Sequence, residues 1–131
     1  KEAEKRALEQ AELMKHEIVH HVKTINGVNF IAKHVDLASA DAVKGLAFGI
    51  KDMVDDLFLV LTTKIDGKPG ITVMLSESLI SNKGLNASQI VRDLGKLIQG
   101  GGGGQAFYAT AGGKNADGLT AVLTEAEKFV Q

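Results

Sequence analysis

The feature that most limits what this chain can fold into is Gly100 to Gly113, GGGGGQAFYATAGG. Five consecutive glycines carry no Cβ atoms, so another backbone can approach them closely. The same freedom costs conformational entropy, which makes the run a poor spacer between ordered elements. A helix pattern precedes it and a short apolar strand pattern follows. The expectation is a bare backbone loop over Gly100–Gly104 that presents a contact surface, held in place by its neighbours.

Those neighbours read in order. Residues 1–23 carry Ala7, Ala11, Met14, Ile18 and Val22 at helical spacing on a segment otherwise dense in Glu and Lys. This is the narrow stripe of a coiled coil, and a helix so polar needs a partner helix, either from upstream chain or from a second copy. Asn26-Gly27 is a turn signal. Val28–Val35 alternates as a strand with Val28, Phe30 and Ala32 on one face. Ser39 is placed to cap a helix carrying Val43, Leu46, Ala47, Ile50 and Val54.

Leu57–Thr63 is apolar almost throughout, as a central strand covered on both faces requires. Asp66–Gly70 turns the chain into a second such strand, Ile71–Leu75, giving a hairpin. Ser76–Leu85 shows little pattern and reads as a loop. Asn86 with Gln89 resembles a capping box for a helix burying Ile90, Val91, Leu94, Leu97 and Ile98. Gly95 inside that helix costs about 1 kcal/mol against alanine, which points to close packing there.

Ala106–Ala111 reads as a strand around Phe107 and Tyr108. These two point to opposite faces, so one is buried and the other lies near the surface. After Gly112-Gly113-Lys114, Asn115 is placed to cap a last helix with Leu119, Val122, Leu123, Ala126 and Val130 on one stripe. The resulting order, α-β-α-β-β-α-β-α, is an α/β (α+β) domain with helices on a mixed sheet. A helical arm over 1–25 precedes a globular domain over 26–131.

Composition narrows the function classes. The chain has 131 residues, about one domain, with 44% hydrophobic residues and a formal net charge of −1. Near-neutrality argues against a broad, sequence-blind polyanion binder but leaves room for a small nucleic-acid contact. Cysteine is absent, which excludes disulfides and thiolate metal sites and makes a reducing, cytoplasmic setting the default. No apolar run approaches the roughly 18 residues of a membrane span, and no signal peptide is expected at the start. The chain begins at Lys1 within a helix-like pattern, as a piece of a longer protein would.

Two motifs compete for chemistry. His16-Glu17-Ile18-Val19-His20 matches H-E-x-x-H, in which two histidines hold zinc and the glutamate activates water. On a helix, however, His16 and His20 fall opposite the Ala7–Ile18 stripe and face solvent, without a third ligand or a dry cleft. The glycine run is neither a Walker loop nor a dinucleotide fingerprint, because a helix precedes it and a strand follows. Its backbone N–H groups are suited to phosphate or base edges. Arg92, Lys96 and Lys114 lie near it and are candidates for phosphate contact, and Tyr108 for stacking.

GGGGGQAFYATAGG, preceded by the helix ending Val91-Arg-Asp-Leu-Gly-Lys-Leu-Ile98 and followed by a C-terminal helix, resembles the end of bacterial alanyl-tRNA synthetases. It is similar to the DHHA1 module (C-Ala) that closes those enzymes and that also occurs in DHH-type phosphoesterases. Two positions depart from the pattern: a basic residue and a proline commonly follow the glycines, where this chain has Gln105 and Ala106. The resemblance implies no catalysis in this segment and no cofactor of its own. ATP, magnesium and zinc would belong to the full-length ligase. It also implies a grip on the outer corner of tRNA-Ala that lets upstream alanylation and editing domains share one tRNA, with possible homodimerisation through the arm.

Carried onto this chain, the matching positions are Gly100, Gly101, Gly102, Gly103, Gly104, Ala109, Ala111, Gly112 and Gly113. With Arg92, Lys96, Gln105, Tyr108 and Lys114 beside them, they make the candidate nucleic-acid contact. Gly102→Val is accordingly expected to weaken RNA binding while leaving the fold intact. Three other readings stand beside this one. They are a single-strand-binding module of a DHH phosphoesterase, a zinc hydrolase built on His16 and His20, and a purely structural dimerisation domain.

Overall fold

A computed structural model describes residues 9, 13–35, 40–65 and 67–129. Helix α1 covers 13–19. It is followed by β1 (Lys23–Ile25), β2 (Val28–His34), α2 (Ala40–Met53), β3 (Leu57–Ile65), β4 (Lys68–Leu75), α3 (Glu77–Lys83) and α4 (Ala87–Gly95). A 3-10 turn, Lys96–Ile98, then leads to β5 (Gly101–Gly104) and β6 (Tyr108–Gly112). A second such turn, Ala116–Gly118, opens α5 (Leu119–Glu127). Ala7, Ala11, Ser39 and Val130, named above, lie outside the described residues.

The strands form one six-stranded sheet in the order β1-β2-β3-β4-β6-β5. β2 and β3 run parallel, joined by the α2 crossover, and every other pair is antiparallel. The sheet is mixed, as expected, and both its faces are covered. On one face Phe58, Val60, Ile71, Val73 and Leu75 pack with Ile90, Val91 and Leu94 of α4 and with Val122 and Ala126 of α5. On the other, Leu57, Leu59, Leu61 and Met74 pack with Val43, Leu46, Ala47 and Ile50 of α2 and with Ile18 of α1. β3 therefore feeds both cores, which is why it reads as an unbroken apolar run.

Several expectations need correction. Ser76–Leu85 contains a helix, α3, closed by Gly84 at φ 69°. Asn26, at φ 52°, and Gly27, at φ 80°, turn the chain between β2 and a short strand, β1, that the sequence reading lacks. Asn86 caps α4 by accepting from the Gln89 N–H at 3.2 Å. The Gln89 side chain goes to Asp93 instead of back to Asn86, so the capping box is half formed. Asn115 caps the 3-10 turn ahead of α5, accepting from the Asp117 N–H.

The stripe of the arm also finds a different partner. Ile18 is 1% exposed inside the second core, with Met14, Val19 and Val22 packed against that core. Gly49 of α2 leaves room for the Lys15 side chain, whose Cδ stands 2.8 Å from where a Cβ would be. From Met14 onward the stripe is thus spent on this domain's own α2. Leu13, at 78%, remains exposed.

Candidate nucleic-acid interface

The glycine run is an edge strand. Gly101–Gly104 pair with β6 in antiparallel register, Gly101 opposite Gly112 and Gly104 opposite Ala109. The Gln105 N–H donates to the Tyr108 carbonyl at 2.8 Å and closes the hairpin. This corrects the bare loop. Polyglycine has no side-chain pattern to announce a strand, and the ladder with β6 makes it one.

The glycines divide into two groups. A Cβ on Gly100 or Gly102 would run into the carbonyl oxygens of Gly112 and Thr110, and one on Gly104 would lie 2.7 Å from that of Tyr108. Gly113 is similarly blocked by the Ile98 carbonyl oxygen. Gly95 has the Gly100 oxygen at 3.3 Å and the Gly101 Cα at 3.4 Å from its Cβ position, so the close packing expected of it is real. These positions are glycine so that β5, β6 and the end of α4 can meet.

Gly101 has nothing within 4 Å of its Cβ position, Gly103 only Ser88 and Arg92 at 3.6 Å or beyond, and Gly112 only the Pro69 oxygen at 3.9 Å. Packing does not demand glycine at these three. Gly102→Val would therefore disturb the hairpin itself, and the expectation that it spares the fold is withdrawn.

The cations named from sequence are distributed around this edge. Arg92 stands beside Gly103, with Nη2 3.8 Å from its Cβ position, and lines a hollow with Ser88, Gln89 and Gly104. Lys114 lines another hollow at the far end of the strand with Lys68, Gly100 and Gly112. Arg92 and Lys114 thus bracket β5. Lys96 and Gln105 are exposed, and neither lines these hollows.

Phe107 and Tyr108 do not take opposite faces. Phe107 precedes the strand, and both rings pack on Phe48 of α2, with centroids 6.5 Å and 5.3 Å away. Lys51 stands 4.8 Å over the Phe107 ring. Burial, and secondarily the Asp41 carboxylate, push the Tyr108 phenol above its usual 10.0. The sequence reading missed Phe48, Lys44 and Lys68. They lie far along the chain from the glycines, and only the β4–β6 pairing and the α2 crossover bring them near.

His16 and His20 are both exposed. Among the described residues no group of three or more His, Asp or Glu is placed to hold a metal ion. Among the same residues no helix is long and apolar enough to cross a membrane.

Comparison with known proteins adds to this geometry. The family model described as the DHHA1 domain matches residues 27–131. The chain is 50% identical over 94% of its length to the alanine–tRNA ligase of Christiangramia forsetii. It is 49% identical over 84% of its length to that of Cytophaga hutchinsonii. It spans only 14% and 12% of those two proteins. Among solved structures it is similar to the C-Ala domain of Aquifex aeolicus alanyl-tRNA synthetase. The TM-score is 0.75 at 18% identity, covering 83% of this chain and 96% of that one. A DHH domain from a protein described as a member of a family of ribosomal proteins aligns with TM-score 0.60 at 14% identity. That alignment covers 89% of this chain and 30% of the other. At such identities both likenesses show the fold.

Proposed function

The chain belongs to the DHHA1 domain family, and on that premise we propose that it is the tRNA-binding C-terminal domain of an alanine–tRNA ligase. The observation that carries this is the 50% identity to such a ligase across 94% of the chain. Alanylation, editing, and the ATP, magnesium and zinc they use belong to the rest of the longer protein. This domain contributes a grip on the outer corner of tRNA-Ala.

The geometry supports a compact contact. Gly101 leaves backbone open at the sheet edge, with Arg92 beside Gly103 at one end and Lys114 at the other. A few cations around an accessible backbone suit recognition of a folded RNA surface better than a long phosphate track, and they fit a net charge of −1. Dimerisation belongs to the part of the arm before Met14, since the later stripe is packed within the domain.

The test is a titration against folded tRNA-Ala and an unstructured RNA of equal length at two salt concentrations. Preference for the folded tRNA with a shallow salt slope supports the proposal. Equal binding with a steep slope favours single-strand binding instead. Absence of binding to either overturns both.

A further inference from the structure

On the face of the sheet that carries α2, that helix leaves one end open. A groove of about 550 Å³ remains between α2 and strands β3, β4 and β6, within the usual range for ligand sites. Its floor follows from register. Thr63 lies opposite Gly70, and Gly70 opposite Gly112. In the next row that faces the same way, Thr72 lies opposite Thr110, and Tyr108 closes the end of the floor on β6.

The floor thus has two positions without side chains, flanked by three hydroxyls and one ring. Gly70 is explained by packing, since its Cβ would stand 2.8 Å from Thr63 Oγ1. Gly112 is not, because nothing lies nearer than 3.9 Å, and it is exposed on the groove. Lys44 and Lys68 stand on the rim, with Asp41 beside Lys44.

We propose that this groove receives one unstacked nucleotide of the bound RNA, with its base over Gly112 and its phosphate between Lys44 and Lys68. Thr63 Oγ1 covers Gly70, so Gly112 is the open position of the floor, and the Thr110 hydroxyl beside it suits a planar ring with hydrogen-bonding edges. Two ammonium groups against one carboxylate leave the rim positive, as a phosphodiester requires. The inference rests on the tRNA-binding reading and extends that contact from the hollow at Lys114, with which the groove shares Lys68 and Gly112, towards Lys44 of α2.

The experiment compares tRNA-Ala binding by wild type, Gly112→Val, Lys44→Glu and Gly101→Asp, each checked for folding by circular dichroism. Amide shifts on titration with uridine 5′-monophosphate are recorded in parallel. A Cβ at Gly112 meets nothing nearer than the Pro69 oxygen at 3.9 Å, so Gly112→Val is expected to keep the fold. It is expected to weaken tRNA binding about tenfold, within the range for losing the contact to one single-stranded base. The uridine probe is expected to shift the amides of Gly70, Thr72, Thr110 and Gly112.

Wild-type affinity in both groove variants, with Gly101→Asp weakened, overturns the groove and leaves the tRNA-binding reading standing. Uridine shifts elsewhere only, or none, also overturn the groove. Wild type that binds no RNA overturns both.

Discussion

Across the β5–β6 hairpin, the carbonyl oxygen of Thr110 occupies the space that a Cβ on Gly102 would enter, one residue out of the register that pairs Gly102 with Ala111. Gly101, one residue earlier, has nothing within 4 Å of its Cβ position. Gly102→Ala is expected to destabilise the chain by about 2 kcal/mol, as overpacking does. Gly101→Ala should change stability by no more than about 0.5 kcal/mol. Urea unfolding of the two variants decides it, and equal midpoints would remove the structural reading of the run.

Ile18, 1% exposed, ties α1 to the core under α2. Ile18→Ala should cost about 2–4 kcal/mol, the range for truncating a buried isoleucine. A loss below about 0.5 kcal/mol in urea unfolding would return this stripe to an intermolecular seam.

Phe48 holds both Phe107 and Tyr108. Phe48→Ala should cost about 2–3 kcal/mol, at or below the low end for a fully buried phenylalanine because this one is half-buried. Hydrogen exchange should quicken at the Gln105 and Leu75 amides, whose acceptors are the carbonyls of Tyr108 and Phe107. Unchanged exchange at these two amides would show that the ring cluster does not secure the hairpin.

Tyr108 is the single tyrosine, and tryptophan is absent, so its phenolate can be followed by ultraviolet absorbance alone. The titration midpoint should lie above 10.0, and Asp41→Asn should bring it part of the way down, since burial is the larger cause. The folded state favours the neutral phenol. The associated stability is therefore full below the unfolded value of about 10 and is lost as pH rises through the folded one. A midpoint at or below 10.0 would contradict the half-buried ring.

Asn86 accepts from the Gln89 N–H at the start of α4. Asn86→Ala should cost about 1 kcal/mol in urea unfolding, and a neutral result would mean that water replaces the cap.

Much of the architecture was legible because side-chain pattern reports burial. Leu57–Thr63 reads as a strand covered on both faces, and it lies within β3, with Leu57 to Leu61 divided between the two cores. Val28, Phe30 and Ala32 read as one face and do share one core. Helix α3 was missed because only Leu79 is buried within it, too little to set up a period. Gly84 behind it was a usable stop signal. β1 is three residues long and shows no alternation to read.

The candidate site was less legible. Gly100–Gly104 could be singled out by composition, yet whether each glycine serves packing or leaves a surface open depends on atoms from Tyr108 to Gly113 across the hairpin. Phe107 and Tyr108 were assigned opposite faces on the assumption that both lie in the strand, which begins only at Tyr108.

Local spacing and residue type were enough for the faces of β2, α2 and α4, the two-sided burial of β3 and the motif by which the family can be recognised. That the glycines form an edge strand, that α1 packs with α2, and that Lys44, Lys68 and Gly112 share a groove came from the three-dimensional arrangement alone. Those facts depend on strand pairing and a crossover between distant segments, and contacts of that kind leave no periodicity in the chain.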